Sequence, residues 1–490
     1  MLFNSIDFAI FLPVVFIFYW FVFNKNLLLQ NLFIVASSYF FYGWWDWKSL
    51  LLMAFTSFCS WFSGYLILKI RQKQLSSKKI ETYTRQITAV NIIINLCILG
   101  IFKYYNFFVE AFSDSFRLFG KELNTQTLQL ILPVGISFYT FHALSYTIDI
   151  YRKDSEPTKN IVAFFAFVSF FPQLVAGPIE RASTLLPQFY HKKTFNYHYA
   201  ADGMRQILWG LFKKIVIADN CAVFANQIFN NSQELSGSTL VLGALFFTFQ
   251  IYGDFSGYSD IAIGTGRLFG INIRRNFAFP YFSRDVAEFW RRWHISLSSW
   301  FKDYLYIPLG GSRGGNLIRI RNTFIIFLVS GFWHGANWTF IVWGGLHALF
   351  ILPSIVLKTN RQNLEIVAKG KYLPTLKEFS QLIFTFLLIV FSWIFFRADN
   401  ISHATQYISE IFSGSIFTIP RFIEMKKSLV ICLLIIVFMF IEWMGREEEY
   451  AIAKLGLQSK PFYRYLFYNI IIVSLFWFGG NEQQFIYFQF

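Results

Sequence analysis

The sequence predicts an all-α, polytopic membrane protein, and three properties of its composition lead to that class. Hydrophobic residues make up 55% of the 490 residues, and the mean hydropathy is +0.44. Charged residues make up only 14%, against roughly 25% in soluble domains. Aromatic residues reach 21%, which suits acyl-chain packing and interfacial aromatic belts. Much of the surface must therefore face lipid, which excludes a soluble globule.

Stretches without Asp, Glu, Lys or Arg predict the individual membrane spans. A bilayer core of about 30 Å requires roughly 20 apolar residues in a helix. Such stretches predict about eleven spans in a single domain that covers residues 1–490. In chain order the stretches are 8–24, 26–45, 49–68, 86–102, 123–148, 160–179, 235–253, 322–357, 379–396, 428–441 and 465–481.

The basic residues predict the orientation of these spans. No Lys or Arg precedes the first apolar run, so that run is expected to be a membrane helix rather than a signal peptide. The most basic connection, 69–85, is predicted to be cytoplasmic, which places the N-terminus outside. A second cytoplasmic loop is predicted at 358–377. The net charge of +15 is then a topology signal, and no nucleic acid partner is expected.

Two charged regions interrupt the series of spans. Residues 180–234 mix basic and aromatic residues, which favours interfacial helices. Residues 283–321 carry ten charges, each of which costs about 2.5–3.5 kcal/mol at a lipid-facing helix centre. The second region is therefore not a plain lipid-exposed span.

His294 lies in this second region and is the first candidate functional residue. At helical spacing it shares an apolar face with Trp290, Leu297 and Phe301. Two interpretations remain open at this point: a functional histidine, or a histidine of an amphipathic helix that bonds a carbonyl group.

His334 lies in the charge-free stretch 322–357, which has 36 residues. As one helix this stretch would reach about 54 Å, almost twice a bilayer core, so it is expected to bend or break. An ionisable residue inside a membrane span is a functional hypothesis, with Asn337 and Ser330 as potential partners. A neutral histidine bonded between helices is the alternative. The expected break points are Gly331, Gly335, Gly344 and Gly345.

Other polar residues of the apolar stretches are expected to be structural. His347 is interpreted as a packing histidine and His142 as a hydrogen-bonding one. Asp254 and Asp260 are expected to form ion pairs with Arg267, Arg274 or Arg275. The four cysteines are far apart and form no C-x-x-C pair, so we expect free thiols and no metal site.

Seven motifs follow one another along the chain, at 132–152, 170–189, 254–281, 289–315, 332–348, 391–400 and 485–490. Together they resemble the bacterial membrane-bound O-acyltransferase family. The resemblance covers most of the chain, with core motifs at 132–348 and further spans at 379–481. Its nearest branch is the membrane subunit of alginate O-acetyltransferase and related polysaccharide O-acetyltransferases, and the D-alanyl-lipoteichoic-acid transfer protein is more distant. The family implies re-entrant segments and a central pore.

The resemblance also implies site residues. His334 of the W-H-G motif matches the family's catalytic histidine, and His294 matches a second one in W-R-R-W-H. Two departures are visible: Lys302 where Arg is expected, and His142 where relatives often carry Gln. The neighbours expected to support the two histidines are Trp333, Trp293, Asn337, Asp303 and Tyr304.

The implied reaction moves an acetyl group from a thioester to a sugar hydroxyl, which needs a base for the hydroxyl proton. An apolar environment disfavours imidazolium, so His334 is expected to be that base. Either His294 or Asn337 would then donate a hydrogen bond to the oxyanion. No bound cofactor is expected.

The donor is expected to be a cytoplasmic substrate, acetyl-CoA or an acyl-carrier thioester. The expected acceptor is an extracytoplasmic polysaccharide, reached directly or through a periplasmic or extracellular partner protein. The location implied is a bacterial cytoplasmic membrane, with its lipids as further partners. D-alanyl transfer to teichoic acid, a non-catalytic transporter and a scaffold are the alternatives. Donor phosphates are expected to meet Arg152, Lys213, Lys214, Arg291 and Arg292.

Overall fold

The computed structural model describes residues 1–117, 119–121, 127–128, 130, 132–175, 177–457, 459–480 and 483–486. Within these residues the chain forms helices and no strand, which confirms the predicted all-α fold. Three predictions fall partly outside the described residues. These are the predicted span 123–148, the motif 485–490, and residue 481 at the end of the predicted span 465–481.

Six of the described helices are long and apolar enough to cross a membrane, which confirms a polytopic membrane protein. Two shorter apolar helices, Ile6–Val22 and Leu27–Gly43, precede them. The total of about eleven spans and the central pore stay predictions. The six candidates are Trp47–Arg71, Ser77–Arg117, Gly237–Leu268, Trp338–Val356, Leu376–Arg397 and Met425–Met444.

The chain divides into two compact units. The first consists of residues 1–203 and 265–274, and the second of 204–264 and 275–490. Two helices, α10 (Tyr197–Leu211) and α12 (Gly237–Leu268), contribute residues to both. The first unit also contains α1 (Ile6–Ile17), α2 (Leu27–Gly43), α3 (Trp47–Arg71), α4 (Ser77–Leu99), α5 (Tyr105–Arg117), α6 (Ile136–Arg152), α7 (Ile161–Ser169), α8 (Phe171–Leu174) and α9 (Ala182–Leu185).

The second unit contains the charged region 283–321 and the broken apolar stretch 322–357. Its charged region forms two short helices rather than a span, as expected. The helices of this unit are α11 (Asp219–Asn230), α13 (Val286–Arg292), α14 (Ile295–Phe301), α15 (Gly315–His334), α16 (Trp338–Val356), α17 (Leu376–Arg397), α18 (Ile401–Ile411), α19 (Met425–Met444) and α20 (Pro461–Phe478).

The prediction of one span over 160–179 is wrong. The chain leaves helical geometry at Phe170 (φ −50°, ψ 109°), where α7 ends and α8 begins. Pro172 lies in the first turn of α8, where the missing N–H of proline is tolerated. At about 1.5 Å per residue, the nine residues of α7 reach roughly 14 Å, less than half of a bilayer core. Most of their side chains are buried in protein.

Helices α15 and α16 form a tight antiparallel hairpin that replaces the single long helix. The break falls at Gly335, one of the expected positions, where the backbone is extended (φ −166°, ψ 153°). Gly331 and Gly344 have a different role, because a Cβ atom at either position would collide with a backbone carbonyl oxygen of the facing helix. The two backbones can therefore approach closely, as small residues permit in membrane helix pairs.

Candidate active site

His334 is the last residue of α15, and its side chain is 3% exposed. The extended backbone of Gly335 ends the helix directly after it. A helix C-terminus carries a partial negative charge, which favours a cation there by about 0.3–1 kcal/mol and up to about 2 when partly buried. The ring of His334 therefore lies at the negative end of the α15 dipole.

Among the residues that the structure describes, three aromatic rings lie against the imidazole of His334. The ring centroids of Trp333, Trp343 and Phe396 lie 4.8, 5.1 and 5.3 Å from it. The Trp343 ring is almost perpendicular to the imidazole, at 89°. These contacts come from α15, α16 and α17, so three helices fix the orientation of one histidine.

His294 reaches the same aromatic group from the connection between α13 and α14. Its side chain is fully buried, and its ring lies 6.0 Å from Trp333 and 4.7 Å from Phe255. The backbone at His294 is left-handed (φ 44°, ψ 53°), which is uncommon for a residue other than glycine. The structure thus brings His294 and His334 against one indole ring, although 40 residues separate them in sequence.

Asn276 fixes the ring of His294 through a hydrogen bond. Its Oδ1 atom lies 3.1 Å from Nδ1 of His294 and accepts hydrogen bonds from the Ser296 backbone N–H (3.2 Å) and hydroxyl (2.9 Å). Its Nδ2 atom donates to the hydroxyl of Ser259 at 3.3 Å. Asn276 was not among the predicted site residues, because a single Asn within a long motif gives no sign of which side chain it will contact.

Asn337 was expected to be a partner of His334, and the structure contradicts this. Its Oδ1 atom accepts the backbone N–H of Thr339 at 3.0 Å and so caps α16. Its Nδ2 atom donates to the carbonyl of Asp399 at 2.8 Å. The amide is used to begin a helix and to hold a neighbouring loop, and Asn residues are preferred at such capping positions.

Trp293, expected to support the two histidines, is buried in an aromatic cluster. Its ring packs against Phe277 (5.0 Å), Trp393 (5.1 Å) and Phe289 (5.5 Å). The two other predicted supporting residues, Asp303 and Tyr304, lie in a π-helical turn that follows α14 and are partly exposed. Tyr304 packs against Trp300 at 4.8 Å.

Lys213 and Lys214 were expected to bind donor phosphates, but the structure places both in buried ion pairs. Both side chains are buried, at 3% and 2% exposure. Lys213 contacts Asp260 at 2.5 Å, while Lys214 contacts Asp254 at 2.8 Å and Asp219 at 2.7 Å. Buried charges need partners of opposite sign, and each lysine meets this need within the protein.

The same contacts correct the pairing expected for the two aspartates of α12. Two of the arginines named as their partners have other partners: Arg267 pairs with Asp202, and Arg274 with Glu180. The third, Arg275, donates through Nε to the Phe277 carbonyl and is attracted electrostatically by Asp260. The lysines are close because α12 crosses the short π-helix Phe212–Ala218 at Gly257, where a Cβ atom would lie 3.1 Å from the Lys214 backbone nitrogen. This helix crossing is invisible in the sequence.

The predicted donor-binding arginines differ in their surroundings. Arg292 is buried and binds Glu288 through Nε and Nη2, at 3.1 and 2.8 Å, so its guanidinium is committed to a structural pair. Arg291 is exposed and donates to the carbonyls of Asn360 and Asn363 at 2.9 Å. Arg152 lies in the last turn of α6, in the first unit.

The remaining buried histidines make hydrogen bonds typical of structural residues. Trp290 donates to Nδ1 of His347 at 3.1 Å, and Nε2 of the same ring lies 3.1 Å from the Ser392 hydroxyl. Because an indole can only donate, Nδ1 accepts and Nε2 carries the proton. In the first unit, Nε2 of His142 accepts the backbone N–H of Glu180 at 3.1 Å.

Comparisons with known proteins match most of this chain. The model of the membrane-bound O-acyltransferase family matches residues 37–397. The probable alginate O-acetylase of Azotobacter vinelandii is 39% identical over 86% of this chain and 81% of its own length. The peptidoglycan O-acetyltransferase of Helicobacter pylori is 39% identical over 83% of this chain and 79% of its own length.

A further relative matches a smaller part of the chain. The teichoic acid D-alanyltransferase of Streptococcus thermophilus is 31% identical over 46% of this chain and 57% of its own length. The family match includes both candidate histidines, and the two longer alignments extend over most of the helical fold. The chain belongs to the membrane-bound O-acyltransferase family.

Proposed function

We propose that this protein is a membrane O-acetyltransferase that moves an acetyl group from a cytoplasmic thioester to hydroxyls of an extracytoplasmic polysaccharide. The observation that carries this proposal is the pair of buried imidazoles, His294 and His334, on the ring of Trp333. Relatives named as alginate and peptidoglycan O-acetylating proteins support the polysaccharide acceptor. The proposed location is a bacterial cytoplasmic membrane.

In the proposed reaction a sugar hydroxyl oxygen attacks the thioester carbonyl, and His334 takes the hydroxyl proton. The carbon–sulfur bond then breaks, and the leaving thiolate takes that proton from the His334 imidazolium, which gives the free thiol and restores the neutral base. The C-terminal end of α15 stabilises the imidazolium that forms in between. General base catalysis of this kind contributes about 100- to 10,000-fold in rate.

Transfer from a donor on one side to an acceptor on the other explains why the histidines lie within a membrane fold. The donor, acetyl-CoA or an acyl-carrier thioester, is a substrate rather than a resident cofactor. Transfer to the polymer occurs directly or through a separate extracytoplasmic acetyltransferase. Of the basic residues first named for the donor, exposed Arg291 and half-buried Arg152 stay candidates. Arg292 and both lysines are buried in ion pairs.

D-alanyl transfer to teichoic acid has weaker support than acetyl transfer. The D-alanyltransferase relative aligns with 46% of this chain, against 86% for the alginate relative. Acetyl transfer is therefore the proposed reaction.

Replacement of His334 by Ala tests the proposed function. Cells that lack the gene and carry His334→Ala should show O-acetyl ester in the isolated polysaccharide reduced about 100-fold or more, because the base is lost. Ester content is measured by alkaline release, and the level of the protein in membranes is measured alongside. The control is His198→Ala, since His198 is exposed and lies outside the site. Unchanged acetylation at a normal membrane level of His334→Ala would reject the proposal.

A further inference from the structure

Asn276 and His294 form a buried pair whose hydrogen bonds determine the proton position on the imidazole. Both side chains have 0% exposure. The backbone carbonyl of Asn276 also accepts the N–H of Ile295 at 2.9 Å, so the main chain around His294 is attached to the same residue. The pair is therefore held by backbone and side-chain contacts together.

The orientation of the Asn276 amide follows from its other contacts. The backbone N–H of Ser296 can only donate, and it lies 3.2 Å from the atom assigned as Oδ1. If the amide were turned over, its NH₂ group would face that N–H, donor against donor. The Ser259 hydroxyl accepts from Nδ2 on the opposite side at 3.3 Å. The oxygen of Asn276 therefore faces His294.

The proton position on His294 follows in turn. An amide oxygen accepts hydrogen bonds and cannot donate, so Nδ1 of His294, 3.1 Å away, must carry a proton. A neutral imidazole has one ring proton, and Nε2 therefore keeps its lone pair. In this tautomer Nε2 accepts hydrogen bonds and cannot donate one to an oxyanion.

The backbone at His294 indicates that the surrounding contacts impose this arrangement. A left-handed conformation at a residue other than glycine is unfavourable and persists where neighbouring structure determines it. Here Asn276 and the ring of Phe255 hold His294 in place. Such outliers are concentrated at functional sites.

We propose that Asn276 is a positioning residue that holds His294 in the Nδ1–H tautomer, so that Nε2 accepts a hydrogen bond from an O–H or N–H group of a bound substrate. The inference rests on the proposed function and refines it. It removes neutral His294 as the oxyanion donor that the sequence left open. His334 remains the proton acceptor of the transfer step, and His294 aligns a substrate beside it.

Two substitutions of Asn276 test this role. Asn276→Leu has a similar volume and no acceptor, whereas Asn276→Asp keeps an oxygen at the Oδ1 position. We expect Asn276→Leu to reduce the initial rate of acetate incorporation about 10- to 100-fold, the range typical of residues that orient functional histidines at metal sites. Asn276→Asp should restore most of that loss. The rate is measured in cells fed radiolabelled acetate, as alkali-labile label in polysaccharide, at matched membrane levels of protein.

A double-mutant cycle separates an effect through His294 from a general structural effect. If Asn276 acts through His294, Asn276→Leu combined with His294→Ala should be no slower than His294→Ala alone. The inference would be overturned if the rate losses of the two single variants multiplied in the double variant, or if Asn276→Leu had the wild-type rate. Failure of the proposed function would give a different result from failure of this inference, because His334→Ala would then acetylate the polysaccharide at the wild-type rate.

Two further measurements complete the test. If Asn276→Leu does not reach the membrane, Asn276→Asp carries the test alone, because a carboxylate beside Nδ1 stabilises imidazolium and moves the acid limb of the rate–pH profile to higher pH. An unmoved profile would contradict the inference. Membrane vesicles with varied acetyl-CoA then identify the bonded group in Asn276→Leu. A raised KM for acetyl-CoA indicates that Nε2 binds an N–H group of acetyl-CoA. A lowered kcat at constant KM indicates that it binds the hydroxyl of the sugar that receives the acetyl group.

Discussion

At the scale of single residues, the buried histidines differ in what holds their ring nitrogens. Both nitrogens of His347 lie within hydrogen-bond distance of Trp290 and Ser392, as expected of a structural residue. His294 is fixed through Nδ1 by Asn276, and His334 ends a helix against the aromatic rings of Trp333, Trp343 and Phe396. The packing role predicted for His347 agrees with these contacts. The catalytic roles of His294 and His334 stay predictions until their variants are measured.

The buried lysine pairs lead to a stability prediction. Replacing Lys213 by Met leaves the carboxylate of Asp260 buried without its cation, and breaking a buried pair in this way costs about 3–5 kcal/mol. We expect Lys213→Met to lower the thermal unfolding midpoint in detergent and the amount of folded protein in membranes. Gln206, which donates to Asp260 at 2.8 Å, offsets only part of the loss.

The control for this prediction is Lys192→Met, because Lys192 is an exposed lysine. Its unfolding midpoint should equal that of the wild type. If Lys213→Met instead left the midpoint unchanged and raised only the KM for acetyl-CoA, Lys213 would be a donor-binding residue, as its charge alone had indicated.

At the scale of helices, the α15–α16 hairpin shows what an apolar pattern can predict. A charge-free stretch of 36 residues is too long for one span, so a break was expected, and the glycines indicated where it would fall. The pattern did not distinguish the glycine that ends a helix, Gly335, from Gly331 and Gly344, which allow close packing. That distinction depends on which residues of the facing helix lie opposite.

Two adjacent glycines of α16 provide a matched test of this packing. Gly344→Ala places a methyl group against the carbonyl oxygen of Phe327, so the hairpin must open and the unfolding midpoint should fall. At Gly345 an added methyl group would meet only a Leu328 side-chain carbon at 3.8 Å, an ordinary contact. Gly345→Ala should therefore be neutral or stabilising by up to about 1 kcal/mol, through helix propensity. The unfolding midpoints of both variants are measured by thermal unfolding in detergent. Equal midpoints would contradict the close packing at Gly344.

At the scale of the whole molecule, residues from the end of the chain complete the core around α12. The Ile486 backbone N–H donates to Asp254 at 2.7 Å, and the Gln483 carbonyl accepts from Lys214 at 3.1 Å. Phe485 is fully buried, 4.6 Å from the ring of Tyr258. Residues more than 220 apart in sequence therefore share one buried polar and aromatic cluster in the second unit.

Phe485→Ala tests the contribution of this segment. Loss of a buried phenylalanine ring typically costs about 3–5 kcal/mol, so we expect a lower unfolding midpoint. Since Phe485 also contacts Phe255, which packs on His294, acetylation per folded molecule should fall as well. Phe462→Ala on α20 is the control, because that side chain is 70% exposed. A wild-type midpoint and acetylation rate for Phe485→Ala would show that the segment contributes neither stability nor alignment.

The sequence by itself determined the class of this protein, because composition and apolar stretch length reflect the solvent around each helix. It also identified the family, and it located both candidate histidines and the break after His334. The tertiary structure alone decided which polar groups meet. The pairing of Lys213 and Lys214 with the aspartates of α12, the capping role of Asn337 and the contact between Asn276 and His294 all join segments distant in the chain. Such contacts depend on how helices cross, and neither hydropathy nor local residue spacing shows where two helices cross.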